Sequence, residues 1–288
     1  MQMKQQIILF LKGLLMGTCD LIPGISGGTI AFITGIYSKL IESIKNISPH
    51  LVLDFFQDKK KFREELKKAD LFFLLNLGLG IGIAIFLGSR FITFFLDNYF
   101  TYTIAFFSGL IIASSKIIFE EIQNHTKTNI FFGFIGIILG GLLALLIPMQ
   151  ITPTYAYVFL GGFFSVSAMF LPGISGAFIL LIMGLYEFML KVLKDIPGHL
   201  DYFVFSVLGA GLGAFTISRI IDFLFKKDKC KTLYVLVGLV FGSLIIPLRK
   251  IYLETTQWNL ENLLLLAVLF GLGIIAVIIA SKMTKNKP

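Results

Sequence analysis

Leu21-Ile22-Pro23-Gly24-Ile25-Ser26-Gly27-Gly28 breaks an apolar stretch that otherwise runs from residue 7 to residue 41, and Leu171-Pro172-Gly173-Ile174-Ser175-Gly176 breaks a second one, from 155 to 190. Proline lacks an amide hydrogen and clashes with the preceding turn, so Pro followed by two glycines ends a helix. The flanking arms are about 14–17 residues each, short of the 20 or so apolar residues that cross a bilayer. The pattern reads as two hairpins that enter the membrane, turn and leave on the side they came from. Non-helical backbone at membrane depth is tolerated only where protein buries it or where it lines a cavity. Both turns are therefore expected inside the molecule.

The rest of the chain agrees with a membrane setting. Of its 288 residues, 56% are hydrophobic and only 15% charged, with a mean hydropathy of +0.88. A soluble domain carries about 25% charged residues. A water-soluble globule has no room for that much apolar surface, and a disordered chain would not hold 31 Phe. Two cysteines exclude a disulfide scaffold. Six further apolar runs, roughly 71–89, 100–119, 130–148, 201–218, 232–248 and 262–280, are long enough to span. They are continuous, whereas a transmembrane β-barrel alternates apolar and polar residues. The expected class is an all-α polytopic membrane protein. Residues 1–17 lack a small-residue cleavage site and read as a retained first segment.

The two broken stretches belong to a longer repeat. Gly35-Ile36-Tyr37 follows the first and Gly184-Leu185-Tyr186 the second, every pair 149 positions apart. Farther on, Gly78, Gly80 and Gly82 pair with Gly209, Gly211 and Gly213. Ser89-Arg90 pairs with Ser218-Arg219, and Gly109-Leu110-Ile111-Ile112-Ala113-Ser114 with Gly238-Leu239-Val240-Phe241-Gly242-Ser243, at offsets of 129 to 131. One order of landmarks kept twice reads as a duplication. The first unit is 1–148, with hairpin 7–41 and spans 71–89, 100–119 and 130–148. The second is 149–288, with hairpin 155–190 and spans 201–218, 232–248 and 262–280. Three spans per unit is an odd number, so the second copy is expected upside down relative to the first. With the N-terminus inside, the cytoplasmic side receives 17 basic residues and the outside only 4, in keeping with the positive-inside bias. Both termini are then cytoplasmic. The net charge of +8 is confined to these gaps, which argues against a nucleic-acid partner. Residues 58–70 alternate basic and acidic side chains and read as a charged helix resting near anionic headgroups.

A glycine-rich break between half-helices bares backbone N–H groups, and a half-helix begins there with its positive dipole end facing the turn. Ser26 and Ser175 each add a hydroxyl donor. Gly24, Ser26, Gly27, Gly28 and Thr29 in one copy, and Gly173, Ser175 and Gly176 in the other, form two candidate anion cradles. The simpler alternative is that Pro and Gly only permit a tight turn and close helix packing. Arg90 and Arg219 occupy matched positions near segment ends, where a charge is expensive and usually paired or functional. Arginine binds phosphate bidentately, and a snorkelling arginine is the plainer reading. Asp20 has Met169 as its counterpart. A buried carboxylate without a twin suits proton or cation coupling, and an Asp–Arg or Asp–backbone pair fits it equally well. His50, His125 and His199 fall in loops without metal-ligand spacing. No Walker A sequence is present, and no metal or cofactor is expected. The two GxGxG runs follow no strand and read as small-residue packing faces.

Gly17-Thr18-Cys19-Asp20-Leu21-Ile22-Pro23-Gly24-Ile25-Ser26-Gly27-Gly28-Thr29-Ile30-Ala31, with Gly35-Ile36-Tyr37, resembles the first signature of the bacterial and archaeal polyprenyl-phosphate transporter family. Leu171-Pro172-Gly173-Ile174-Ser175-Gly176, with Gly184-Leu185-Tyr186, is similar to its second. The likeness covers nearly the whole chain. It departs at Ala177, where the family often has Ser. The resemblance implies a flippase that returns undecaprenyl phosphate, the carrier lipid of wall polymers, from the outer to the inner leaflet of the cytoplasmic membrane. A polyprenyl-pyrophosphate phosphatase also uses re-entrant Pro-Gly-x-Ser turns, but follows the Ser with Arg, where this chain has Gly27 and Gly176. An ion-coupled small-anion transporter with the same cradles is the third reading. The coupling ion, proton or sodium, and the oligomeric state are left open.

Overall fold

The computed structural model of the chain describes all residues except 1, 22–25, 48–53, 55–56, 144, 256 and 286–288, and the backbone but not the side chains of 2–4, 88–93 and 283–285. Among the described residues the chain is helices and connecting turns, with no strand. In order these are α1 (Gln2–Asp20), α2 (Gly27–Ile33), α3 (Tyr37–Lys45), α4 (Lys59–Lys68), α5 (Leu71–Asn98), α6 (Phe100–Glu120) and α7 (Lys127–Leu143). Then follow α8 (Tyr155–Met169), α9 (Gly176–Ile182), α10 (Tyr186–Lys194), α11 (Leu200–Ser243), α12 (Ile245–Glu254) and α13 (Leu260–Lys285).

Among the described residues three stretches are long and apolar enough to cross a bilayer: Phe100–Glu120, Pro197–Glu254 and Leu260–Lys282. Two bent pairs raise this to as many as five: Lys59–Lys68 with Leu71–Leu87, bent by 61°, and Gly176–Ile182 with Tyr186–Lys194, bent by 115°. Large apolar side chains stand bare on the outer helix faces, among them Phe72, Phe86, Leu264, Val268 and Ile279. Water would make such a surface an aggregation site, whereas lipid is its natural solvent. Inside, Ile104, Ile111 and Ile118 of α6 meet a core shared with Leu233, Leu236 and Val240 of α11.

Three expectations about element boundaries change. The outgoing hairpin arms are not straight. The first breaks between α2 and α3 at Thr34–Ile36, the second between α9 and α10 at Met183–Leu185. Each break is a Schellman motif. Gly35 N–H reaches Phe32 O and Ile36 N–H reaches Ala31 O; Gly184 N–H reaches Leu181 O and Leu185 N–H reaches Leu180 O. Gly35 and Gly184 both sit at φ +68°, the left-handed region where a Cβ is penalised. The residue after each glycine begins the sharp turn, so α2 and α9 are seven residues long, about 10 Å of rise. Second, the run 130–148 is helical only to Leu143. Third, the expected gap between 218 and 232 is helical: α11 runs through it, broken only at Asp228 (φ −162°, ψ 93°), whose carboxylate accepts the Lys231 N–H at 3.0 Å. The charged helix does form as α4, capped by Asp58, which accepts from Lys60 N and Lys61 N.

Glycines set the helix seams. A Cβ on Gly13 would stand 2.3 Å from Leu77 O, and one on Gly80 2.3 Å from Phe10 O, so α1 and α5 touch backbone to backbone. Gly209 and Phe159 O hold α11 against α8 in the same way, at 2.0 Å. Gly273 lies on Phe106 O at 2.0 Å, joining α13 to α6, and Gly136 on Val235 O at 2.3 Å, joining α7 to α11. In lipid there is no hydrophobic drive between helices, so close approach of this kind is what holds them. Of the two GxGxG runs, Gly80, Gly209 and Gly213 pack, while Gly78, Gly82 and Gly211 face open space.

Candidate functional site

The two broken stretches meet. Ser26 is extended (φ −117°, ψ 131°) and caps α2, its Oγ accepting the Gly28 N–H at 3.1 Å. The same hydroxyl lies 3.1 Å from Met169 O and 3.2 Å from Leu171 O, and donates across to the end of α8. Thr29 Oγ1 accepts the Gly173 N–H at 3.1 Å, and the Tyr37 hydroxyl donates to Phe170 O at 2.9 Å. Ser26, Thr29 and Tyr37 are all buried. Gly28 permits the junction: a Cβ there would stand 2.5 Å from Met169 O. Gly173, at φ +84°, is pressed onto α11, where a Cβ would come 2.7 Å from both Val240 Cα and Ser243 Oγ.

The two turns are not equivalent. At the first, Asp20 closes α1 by turning its carboxylate onto α2, Oδ1 accepting the Gly27 N–H at 2.7 Å. Its Oδ2 is buried without a hydrogen-bond partner among the described residues. A side chain on Gly27 would collide with that carboxylate at 2.5 Å. At the second turn Met169 takes the corresponding place, its Cγ 2.7 Å from where a Gly176 Cβ would be. A thioether is only a weak acceptor. Ser175 caps α9 in extended conformation (φ −96°, ψ 133°) but accepts no cap bond, and its buried Oγ has no partner among the described residues. One turn thus holds a carboxyl oxygen on its amide; the other holds a hydroxyl without a partner among the described residues.

Of the predicted site residues, the fold brings Asp20, Ser26, Gly27, Gly28, Thr29, Gly173, Ser175 and Gly176 into this junction. Gly24 lies outside the described residues. Arg90 lies on α5, its side chain outside the described residues. Arg219 is elsewhere: its guanidinium donates to Phe215 O at 3.1 Å and to Ile47 O at 3.0 Å, and stacks 3.3 Å from the centre of the Phe215 ring. With the Lys45–Asp222 and Lys226–Asp222 ion pairs it ties the end of α3 to α11. Tyr37, which served in the sequence only as a landmark of the repeat, is a working part of the junction. Among the described residues no group of three His, Cys, Asp or Glu is placed to hold a metal.

Long apolar helices with lipid-facing side chains, closed around a buried polar junction, define a multi-pass membrane protein. Comparison with known proteins narrows this. The chain belongs to the undecaprenyl phosphate translocase-like family, whose model matches residues 16–263. The polyprenyl-phosphate transporter of Vibrio cholerae serotype O1 is 34% identical over 253 residues, covering 88% of this chain and 80% of the relative. That of Staphylococcus aureus is 27% identical over 293 residues, 95% of each chain. These relatives are named as transporters rather than enzymes. No solved structure matches the chain significantly.

Proposed function

We propose that this protein carries a polyprenyl phosphate, undecaprenyl phosphate in wall-building cells, from the outer to the inner leaflet of the cytoplasmic membrane. The observation that carries the reading is the contact of the two Pro-Gly-Ile-Ser-Gly stretches through buried polar groups, Ser26 to Met169 O and Thr29 to Gly173 N–H. A phosphate headgroup crossing hydrocarbon alone loses its hydration, and a buried polar chamber lowers that cost. The isoprenoid chain needs no such shelter and stays in lipid.

Two inverted copies, 1–148 and 149–288, each with a re-entrant hairpin, give the junction access from both sides. Paired contacts support the duplication. Gly80 lies on Phe10 O as Gly209 lies on Phe159 O, and Gly273 lies on Phe106 O as Gly136 lies on Val235 O. On the sidedness that the basic residues imply, with both termini cytoplasmic, Arg90 stands toward the outer face and Arg219 toward the inner. They receive and release the headgroup, while Gly24, Ser26, Gly27, Gly28, Thr29, Gly173, Ser175 and Gly176 hold it between. Asp20 occupies the Gly27 amide when no phosphate is there. Substrate must displace the carboxylate, and protonation of the carboxylate eases that displacement, which couples the cycle to a proton.

The test is translocation of labelled polyprenyl phosphate in reconstituted vesicles, with and without a pH gradient. Wild-type protein is expected to move the lipid, and Asp20→Asn to move it without response to the gradient. Failure to move it, movement of soluble phosphate instead, or release of inorganic phosphate from the pyrophosphate would overturn the reading.

A further inference from the structure

An open groove of about 550 Å³ runs between the ends of α1, α5, α6 and α13. Thr18, Tyr99, Tyr102, Thr103, Phe106 and Leu269 line it, and Phe95 and Phe107 complete an aromatic wall. We propose that this groove seats the isoprenoid chain of the transported lipid. The proposal rests on the transport reading and deepens it by giving the chain a site of its own.

Four features of the molecule argue for that occupant. Thr18, on the last turn of α1, brings the groove to the helix end whose other face carries Asp20 and its bond to the Gly27 N–H. Thr18 turns its hydroxyl back onto Leu14 O at 2.8 Å, so it presents no unmet donor to an apolar guest. One wall is closely joined: α6 and α13 meet through Gly109 on Phe270 O and Gly273 on Phe106 O, and Tyr102 donates to Asn262 Oδ1 at 2.8 Å. Finally, on the charge-derived sidedness the starts of α6 and α13 lie in the outer leaflet, where the lipid is loaded. Aromatic faces suit the flat, branched, unsaturated units of a polyprenyl chain better than a flexible saturated acyl chain, because rigid rings meet rigid planar segments with little loss of side-chain freedom.

The experiment compares a long-chain polyprenyl phosphate with a two-isoprene phosphate in the same vesicles. The variants Leu269→Trp and Thr103→Trp fill the groove. Leu264→Trp, on the exposed face of the same helix, is the control. Filling the groove is expected to lower the long-chain rate relative to the short-chain rate by about tenfold, the effect of losing one apolar side chain's worth of burial, while Leu264→Trp leaves the ratio unchanged. Short-chain transport reports that each variant folds. A ratio unmoved by both groove variants, or moved equally by Leu264→Trp, would overturn the proposal. Wild-type protein that moves neither lipid overturns the transport reading, and this inference with it.

Discussion

Ser26 and Ser175 hold the same place in the two Pro-Gly-Ile-Ser-Gly stretches and make different bonds. Ser26 Oγ bonds to Gly28 N–H and to the carbonyl end of α8, so it joins the two turns. Ser175 Oγ, equally buried, bonds to nothing among the described residues. A polar hydrogen bond inside a membrane protein contributes about 0.6 kcal/mol on average and up to about 1.7. Ser26→Ala should therefore lower the thermal stability of the purified protein, while Ser175→Ala leaves it unchanged or raises it, since an orphaned buried hydroxyl is a cost. Transport should fall for Ser175→Ala all the same, because its hydroxyl is free for the headgroup. A melting curve and a translocation rate for each variant check this. Equal destabilisation by both substitutions would mean that Ser175 is a structural cap like its twin.

Among the elements, the glycine seams decide which helices are neighbours. Gly273 joins α13 to α6, and Gly136 joins α7 to α11, so the third apolar run of each half of the chain packs on the second apolar run of the other half. Gly136→Leu and Gly273→Leu should each cost about 1–3 kcal/mol by overpacking, whereas Gly211→Leu, which faces open space, should cost almost nothing; thermal unfolding in detergent measures the difference. The sequence announced this only partly. Hydrophobic run length placed helices but not their bounds, since 201–218 and 232–248 fall in the one helix α11 and 130–148 is helical only to Leu143, while the Pro-Gly breaks located the junction. It did not reveal which glycines pack. Gly78, Gly80 and Gly82 looked equivalent, yet a helix face turns by about 100° per residue, so one seam takes Gly80 and leaves the others bare. Contacts also set the pairing: Gly80 matches Gly209, at the offset of 129 kept by Ser89-Arg90 and Ser218-Arg219. Pairing the runs by their glycines alone is two residues out of register. Arg219 was legible as a repeated charge, but its carbonyl partner Ile47 comes from a loop that no spacing rule connects to it.

At the scale of the whole molecule, a buried polar junction between the two turns and an apolar groove lined by α1, α5, α6 and α13 both involve the end of α1. On the proposed function the lipid's head and chain have separate sites, one carried through the interior and the other kept at the molecule's side. The measurement that bears on this most directly is photo-cross-linking. A polyprenyl phosphate carrying a diazirine on its first isoprene unit would be irradiated with the protein in vesicles, and the modified peptides sequenced by mass spectrometry. The expected adducts lie within residues 17–29 and 165–178 and are displaced more strongly by unlabelled polyprenyl phosphate than by polyprenol. Adducts confined to the outer face of α13, at Leu264 and Val268, and indifferent to competitor, would contradict the proposed function.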